Sequence, residues 1–238
     1  MFPLSDDNPT KTTSYITYGL IIANVVVFLY QKNLELSLNQ QQLLADFYNL
    51  YAIVPRELTA SLNGEISNQP IPEWLSLITS QFLHGGWLHL GGNMLFLWIF
   101  GNNIEDKLGH FKYLFFYLSC GVLAGLSQWF FSVNSAIPAL GASGAIAGVM
   151  GAYIIRFPRA RILTFVFLGI FITTIRLPAY VFLGYWFVQQ AFFSFTSVAV
   201  PAGMGAETGG IAYWAHSGGF VFGMILAPLL GLFQEKWR

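Results

Sequence analysis

The sequence predicts an all-α membrane protein built as a six-transmembrane-helix bundle. Of its 238 residues, 55% are hydrophobic and only 9% are charged, whereas soluble domains carry about 25% charged residues. A soluble chain of this size has too little interior to cover so much apolar surface. Six segments approach the roughly 20 apolar residues that a spanning helix needs: about 15–31, 80–101, 113–132, 139–157, 178–197 and 212–233.

The basic residues predict how these helices are oriented, because cytoplasmic loops are enriched in lysine and arginine. With the N-terminus inside, only Lys32 and Arg56 lie outside, and all the others lie inside: Lys11, Lys107, Lys112, Arg156, Arg159, Arg161, Arg176, Lys236 and Arg238. Both termini are therefore predicted to be cytoplasmic. Predicted helices two, four and six then enter the membrane from its outer face.

We expect one domain. It consists of a cytoplasmic N-terminal tail at 1–14, a membrane domain at 15–233 and a cytoplasmic C-terminal tail at 234–238. The long external loop 32–79 is predicted to contain short amphipathic pieces on the membrane surface. The polar N-terminus lacks the basic segment of a signal peptide, so we predict none.

The apolar stretch 162–175 is too short to span a bilayer. It is cut off from the next segment by Arg176 and Pro178. We predict that it is interfacial or re-entrant, two alternatives that the sequence leaves open.

Composition also limits the partners. The formal net charge is +0 and there is no basic run, so the electrostatic footprint of a nucleic-acid-binding protein is missing. The single cysteine, Cys120, can form no internal disulfide and is predicted to pack between helices. Composition thus predicts the lipid bilayer as a partner, and the oligomeric state stays open.

Polar residues inside membrane helices are costly and usually mark function. The second predicted helix carries His89 and Asn93, which are four residues apart and share a helical face. The fourth carries Ser143 and the sixth carries His216, each near the start of its helix. Because these three helices enter from the same side, the four residues are expected at one shallow depth.

Each of these residues also has a plainer interpretation. A serine among glycines usually permits close helix packing, a lone intramembrane histidine is usually a packed and hydrogen-bonded group, and the His89 and Asn93 pair is compatible with interhelical hydrogen bonding. Their conjunction at one depth is what favours catalysis. We therefore predict that Ser143 is a nucleophile and that His216 is its general base.

No acid is available to complete a triad. The carboxylates all lie in loops, at helix ends or in tails: Asp6, Asp7, Glu35, Asp46, Glu57, Glu65, Glu73, Glu105, Asp106, Glu207 and Glu235. This distribution also excludes a paired-aspartate protease, and the absence of His-Glu-x-x-His excludes a typical zinc protease. The predicted site is a serine–histidine dyad with no metal and no cofactor.

Acyl transfer further needs donors for the developing oxyanion. The backbone N–H of Ser143 and the side chains of His89 and Asn93 are predicted to supply them. Small residues on two of the predicted helices are expected to let their backbones approach closely; they are Gly144, Gly148, Gly151, Gly219 and Gly223.

An ordered set of motifs, over roughly residues 50 to 233, resembles the rhomboid family. The motifs are His84 with His89-Leu90-x-x-Asn93, Phe100-Gly101, Glu105-x-x-x-Gly109, Gly141-Ala142-Ser143-Gly144-Ala145, Pro178-Ala179, Trp186-x-x-Gln189 and Ala215-His216-x-Gly218-Gly219-Phe220. The resemblance implies a six-helix intramembrane serine endopeptidase, which cleaves transmembrane segments from a water-filled cavity below the outer surface. It makes Ser143 the nucleophile, His216 the base and His89 and Asn93 oxyanion-hole residues. We expect supporting roles for five further residues: His84, Gly141, Gly144, Gly219 and Trp214.

The chain departs from this pattern in two places. Some members place a tyrosine one turn after the serine, where it stacks on the histidine, but here that residue is Ala147. Tyr213 or Trp214 is the alternative support for the imidazole. Some members also carry a Trp-Arg pair in the first external loop, whereas Trp74 and Arg56 are far apart here.

Two other functions are weighed. A catalytically inactive relative that binds membrane proteins for quality control would not need both Ser143 and His216. A transporter would usually show membrane charges or broken, repeated helices. The compact core predicts a bacterial plasma membrane, with the active site opening to the external side.

Overall fold

The computed structural model describes residues 1–36, 40–65, 70–169, 171–199 and 212–234. Its framework consists of six long helices, and each overlaps one of the six predicted apolar segments. They are α1 (Tyr15–Glu35), α5 (Trp87–Leu108), α6 (His110–Phe131), α7 (Ser143–Arg156), α8 (Ala179–Ala199) and α9 (Tyr213–Leu229). In this part of the chain, two helices, α1 and α6, are long and apolar enough to cross a membrane by length and composition alone, and α7 is a shorter apolar helix.

In the described residues of the loop between α1 and α5, two 3-10 turns accompany three short α-helices. The three α-helices are α2 (Gln40–Tyr51), α3 (Pro55–Leu62) and α4 (Ser76–Thr79). Pro55 opens α3, where its missing N–H costs nothing. Ile53 and Ala139 exchange two backbone hydrogen bonds, of 3.0 and 2.8 Å, which fix this loop beside the segment that leads into α7.

The prediction of an all-α protein was wrong in one region. Residues 162–175 fall in a β-hairpin, formed by β2 (Arg161–Leu168) and β3 (Phe171–Pro178), and β1 (Phe2–Asp6) adds a third antiparallel strand in the order β1-β2-β3. Alternating burial explains the strand, since Ile162, Thr164 and Val166 are buried. Hydropathy does not reveal this alternation, because apolar residues occupy both faces of the strand.

The N-terminal segment 1–14, which is predicted to be a tail, packs onto the helix bundle through Asp6. Its Oδ2 accepts hydrogen bonds from Asn103 Nδ2 of α5 at 2.9 Å and from the Tyr153 hydroxyl of α7 at 2.5 Å. Burial raises the pKa of Asp6 above its ordinary value, although these two hydrogen bonds act in the opposite direction. β1 therefore connects the β2–β3 hairpin to the C-terminal ends of α5 and α7.

Contacts between α1 and α5 show that the two helices are antiparallel. Near the start of α1, the Thr17 backbone N–H and hydroxyl both donate to Glu105 Oε2, at 2.8 and 2.7 Å. Near its end, Gln31 donates through Nε2 to the carbonyl of His84 and accepts from the His84 N–H through Oε1, at 3.0 and 3.1 Å. The β-sheet and Glu105 thus lie at one end of the bundle, and the start of α5 lies at the other.

The helices α7 and α9 run parallel in close backbone contact. A Cβ on Gly219 would overlap the carbonyl of Gly144, and a Cβ on Gly223 would overlap that of Gly148. Only glycine permits this approach at those positions. The predicted glycine contacts between the two helices are confirmed, and both helices start at the same end as α5.

Candidate active site

Ser143 and His216 form a direct hydrogen bond. Ser143 is the first residue of α7, and His216 lies in the first turn of α9. The parallel packing of these helices brings Ser143 Oγ to 2.7 Å from His216 Nε2. Both residues are half-buried, so the pair is shielded without being sealed. This geometry is the arrangement in which a histidine removes the proton of a serine nucleophile.

The pair is recessed within the bundle. Gly144, the residue after Ser143, packs against Ala124 of the antiparallel helix α6. From that level α6 continues seven residues further, to Phe131, which at about 1.5 Å per residue is roughly 10 Å. The serine therefore lies well below the end of the neighbouring helix.

The second nitrogen of the imidazole faces α8. His216 Nδ1 is 2.8 Å from Gln190 Oε1, and the ring centroid of Trp186 lies 5.8 Å from that of His216. The family motif contains Gln189, but Gln189 is exposed, and the buried glutamine that contacts His216 is Gln190. The two glutamines differ in helical phase, because the buried residues of α8 lie on one face of the helix: Phe182, Leu183, Gln190 and Ser194.

The suggested support from Tyr213 or Trp214 was wrong. The ring of Trp214 stacks on Phe131, with centroids 3.6 Å apart, and Tyr213 pairs with Phe193 at 5.2 Å. Both side chains of α9 thus point to neighbouring aromatic rings. Trp214 stabilises the start of α9, while the imidazole is held by residues of α8.

His89 and Ser143 face the same space above Gly141. A Cβ on Gly141 would lie 2.9 Å from His89 Nε2 and 3.6 Å from Ser143 Oγ, and the φ of Gly141 is +127°. A side chain at this position would fill the space in front of the serine and would require a strained backbone. The absence of a side chain on Gly141 therefore leaves the space between His89 and Ser143 unfilled.

Asn93 lies one turn after His89 on α5, and a second histidine orients it. Its Nδ2 is 3.0 Å from Nε2 of the fully buried His84. The backbone of His84 is in turn held by the amide of Gln31, and the Tyr48 hydroxyl of α2 lies 3.0 Å from Gln31 Nε2. His84 thus contacts Asn93 directly, and this network connects helix α2 to Asn93.

A small cavity adjoins Ser143 on the α6 side. Its polar lining comes from Ser80, Gln81 and Gln128, together with Ser143 itself, and Gly144 contributes to its wall. The Gln128 side chain accepts a 3.4 Å hydrogen bond from the backbone N–H of Ala215. Polar groups are therefore available for water beside the serine.

The buried carboxylates of α5 lie at the opposite end of the bundle. Glu105 accepts hydrogen bonds from the start of α1 and lies 2.6 Å from His110 Nδ1. Asp106 accepts from the backbone N–H groups of Lys11 and Thr12, at 3.1 and 2.9 Å. Glu105 therefore connects α5 to α1 and α6, and Asp106 connects α5 to the segment before α1. Both lie away from the Ser143 and His216 pair.

The fold and the site define a helix-bundle membrane protein with a recessed, hydrogen-bonded serine–histidine pair. The Rhomboid domain family model matches residues 72–233. The chain belongs to the rhomboid family.

Three relatives illustrate this membership. The chain is 34% identical over 168 residues to the mitochondrial Rhomboid protein 1 of Saccharomyces cerevisiae, an alignment of 69% of this chain and 44% of that protein. It is 35% identical over 173 residues to the mitochondrial Presenilin-associated rhomboid-like protein of Rattus norvegicus, covering 72% and 39%. It is 40% identical over 80 residues to the Rhomboid protease GluP of Bacillus subtilis, covering 34% and 15%. The chain thus aligns with less than half the length of each of these relatives.

These names correct the predicted localisation. The yeast and rat proteins, each aligned over more than two thirds of this chain, are both named as mitochondrial. A further relative, from Arabidopsis thaliana, is named as chloroplastic. These names contradict the prediction of a bacterial plasma membrane, which was wrong. The compactness of the helical core carried no information about the compartment.

Proposed function

We propose that this chain is an intramembrane serine endopeptidase that cleaves membrane-spanning segments of other proteins. The observation that carries the proposal is the 2.7 Å contact between Ser143 Oγ and His216 Nε2, at a site recessed roughly 10 Å below the end of α6. Its membership of the rhomboid family supports the same reaction class.

In the proposed mechanism, His216 takes the hydroxyl proton of Ser143 as Oγ attacks the scissile carbonyl carbon. The carbonyl electron pair moves to oxygen, and the oxyanion is stabilised by the Ser143 N–H with the side chains of His89 and Asn93. The first N–H groups of a helix have no intrahelical acceptor, so the start of α7 is suited to this role.

Collapse of the tetrahedral intermediate breaks the C–N bond. His216 gives its proton to the leaving amine, and an acyl ester remains on Ser143. Water from the cavity lined by Gln81 and Gln128 then loses a proton to His216 as it attacks the ester. The products are a free carboxyl end, a free amine end and the regenerated serine.

The proposed arrangement in the membrane has all six long helices crossing the bilayer and both termini on one side. The β-sheet and the clustered basic residues then lie on the inner side, where Lys and Arg are enriched. The Ser143 and His216 pair opens toward the outer side. Large exposed apolar side chains on α1, such as Ile22, Val26 and Leu29, then face lipid.

The proposed substrates are membrane-spanning helices, which must unwind locally before Ser143 can reach a carbonyl. Each backbone group released into lipid costs several kcal/mol. Segments with Gly, Ala or Pro near the outer face are therefore expected to be preferred, because Gly and Pro weaken a helix and small side chains enter a recessed site easily. A cleaved reporter whose Gly and Pro residues are changed to Leu should be cut more slowly, and an unchanged rate would contradict this preference.

The test is cleavage of a single-span reporter by purified protein in liposomes. Wild type should cut, Ser143→Ala and His216→Ala should not, and the control Ser194→Ala should cut because Ser194 lies on α8 away from Ser143. Cleavage by Ser143→Ala would overturn the assignment. If the wild-type protein is folded but inert on several reporters, the inactive binding protein becomes the better account.

A further inference from the structure

The imidazole of His216 is held from behind by a neutral amide. Gln190 lies on α8, is 9% exposed, and places Oε1 2.8 Å from His216 Nδ1. On the other side of the same ring, Nε2 faces Ser143 Oγ at 2.7 Å. Serine, histidine and glutamine thus form one hydrogen-bonded line through three helices, α7, α9 and α8.

This line selects one tautomer of the imidazole. The amide oxygen can only accept, so the proton of the neutral ring resides on Nδ1. Nε2 then has a lone pair directed at the serine hydroxyl, as a general base requires. The other tautomer would place a lone pair against the amide oxygen and an N–H against Ser143, and it could not take the serine proton.

We infer that Gln190 is the positioning residue of the dyad and that it takes the place that a carboxylate has in a serine–histidine–acid triad. This inference rests on the proposed protease function. In a triad, the acid holds the histidine in the correct tautomer and orientation. An amide does the same by accepting from Nδ1–H, but it adds no negative charge.

A neutral partner suits this location. A carboxylate taken out of water must be paired and hydrogen-bonded to offset several kcal/mol of desolvation. Between α8 and α9 in this recessed site, the described contacts offer neutral groups: Trp186, Ser194 and Ser217. Gln190 therefore supplies direction without a buried charge, which explains how the site dispenses with an acid.

A second contact between the same helices provides a matched control. Ser194, one turn further along α8, lies 3.0 Å from Ser217 through their hydroxyl oxygens and donates to the carbonyl of Gln190 at 2.9 Å. Ser194→Ala removes a buried polar contact between α8 and α9 but leaves the ring of His216 untouched. It separates loss of helix packing from loss of imidazole orientation.

The experiment compares wild type, Gln190→Leu, Gln190→Glu and Ser194→Ala in liposomes. For each protein, kcat and KM for a single-span reporter are measured against pH, and the labelling rate of Ser143 with a fluorophosphonate probe is measured in parallel. Gln190→Leu should lower kcat and the labelling rate together, by about 5- to 100-fold, because Nδ1–H loses its acceptor. KM should change little, and Ser194→Ala should behave as wild type.

Gln190→Glu provides a readout that a structural role would not move. A carboxylate at Nδ1 restores the acceptor and stabilises the imidazolium. The acidic limb of the kcat profile should therefore move to higher pH, and above that limb the Glu variant should exceed the Leu variant. The pH at which His216 stops acting as a base reports its partner directly.

Two results would overturn the inference: a Gln190→Leu protein that labels and cleaves at wild-type rates, or a Gln190→Glu protein whose acidic limb coincides with that of wild type. Failure of the proposed function gives a different pattern, in which wild type itself neither cleaves nor labels above the level of Ser143→Ala.

Discussion

The carbonyl of Gly144 occupies the space that a Cβ on Gly219 would fill. Gly144 follows Ser143 directly, and Gly219 lies one turn after His216. The approach of these two backbones thus sets the distance between the serine and histidine side chains. One turn deeper, Gly148 and Gly223 repeat the same contact.

Gly223→Ala should destabilise the bundle. Its Cβ would overlap the backbone of Gly148, and relieving such a clash typically costs about 1–3 kcal/mol. Gly184→Ala is the matched control, because a Cβ there meets nothing within 4 Å. Thermal unfolding in detergent should show a lower Tm for the first variant only, and equal Tm values would contradict the packing account.

Asn93→Ala should lower kcat by about 10²- to 10³-fold, the usual effect of losing one oxyanion donor. KM should change little, because the donor acts mainly on the transition state. His84→Phe should have a smaller effect, since it removes only the 3.0 Å contact that orients Asn93. Steady-state kinetics on the reporter would decide; a larger loss in His84→Phe than in Asn93→Ala would contradict these roles.

Asp6 should make stability depend on pH. Burial raises its pKa above the ordinary 3.8, so the folded protein holds this proton more tightly than the unfolded chain. Stability from Asp6 is complete below the unfolded pKa and is lost as the pH rises through the folded pKa. The Tm of wild type relative to Asp6→Asn should therefore fall as the pH is raised across this interval. A difference that is flat or increases would contradict the assignment.

The proposed topology places α3 and the β2 strand on opposite sides of the membrane. Asn63 and Arg159 are exposed, whereas the native Cys120 is fully buried. Asn63→Cys and Arg159→Cys should therefore react with an impermeant maleimide from opposite sides of sealed vesicles, over a low background from Cys120. Labelling of both positions from the same side would contradict a bundle in which α5, α6 and α7 make three crossings between Asn63 and Arg159.

Hydropathy and motif order predicted the six long helices and the meeting of Ser143 with His216. These features follow from the sequence because each apolar run has helical length, and because parallel helices entering from one side place their first turns together. The hairpin at 162–175 could not be predicted in this way, since averaging over apolar residues removes the difference between a period of two and a period of 3.6.

Gln190 was not predicted as a site residue, because its contact with His216 depends on which face of α8 it occupies. Gln189 and Gln190 are neighbours in sequence but point about 100° apart on a helix. Only the helical spacing from Phe182 and Ser194 shows that Gln190 belongs to the buried stripe. Similarly, Trp214 is two residues before His216 in the sequence, and side chains at positions i and i+2 of a helix do not face each other.

The most direct test of the central claim is to identify the residue that a fluorophosphonate probe modifies. The 2.7 Å contact between Ser143 and His216 predicts one adduct, which peptide mass spectrometry places on Ser143 in wild type and in Ser194→Ala. The adduct should be absent from Ser143→Ala and should form far more slowly in His216→Ala. Modification of a different serine, or equal labelling of Ser143 in wild type and His216→Ala, would contradict the account.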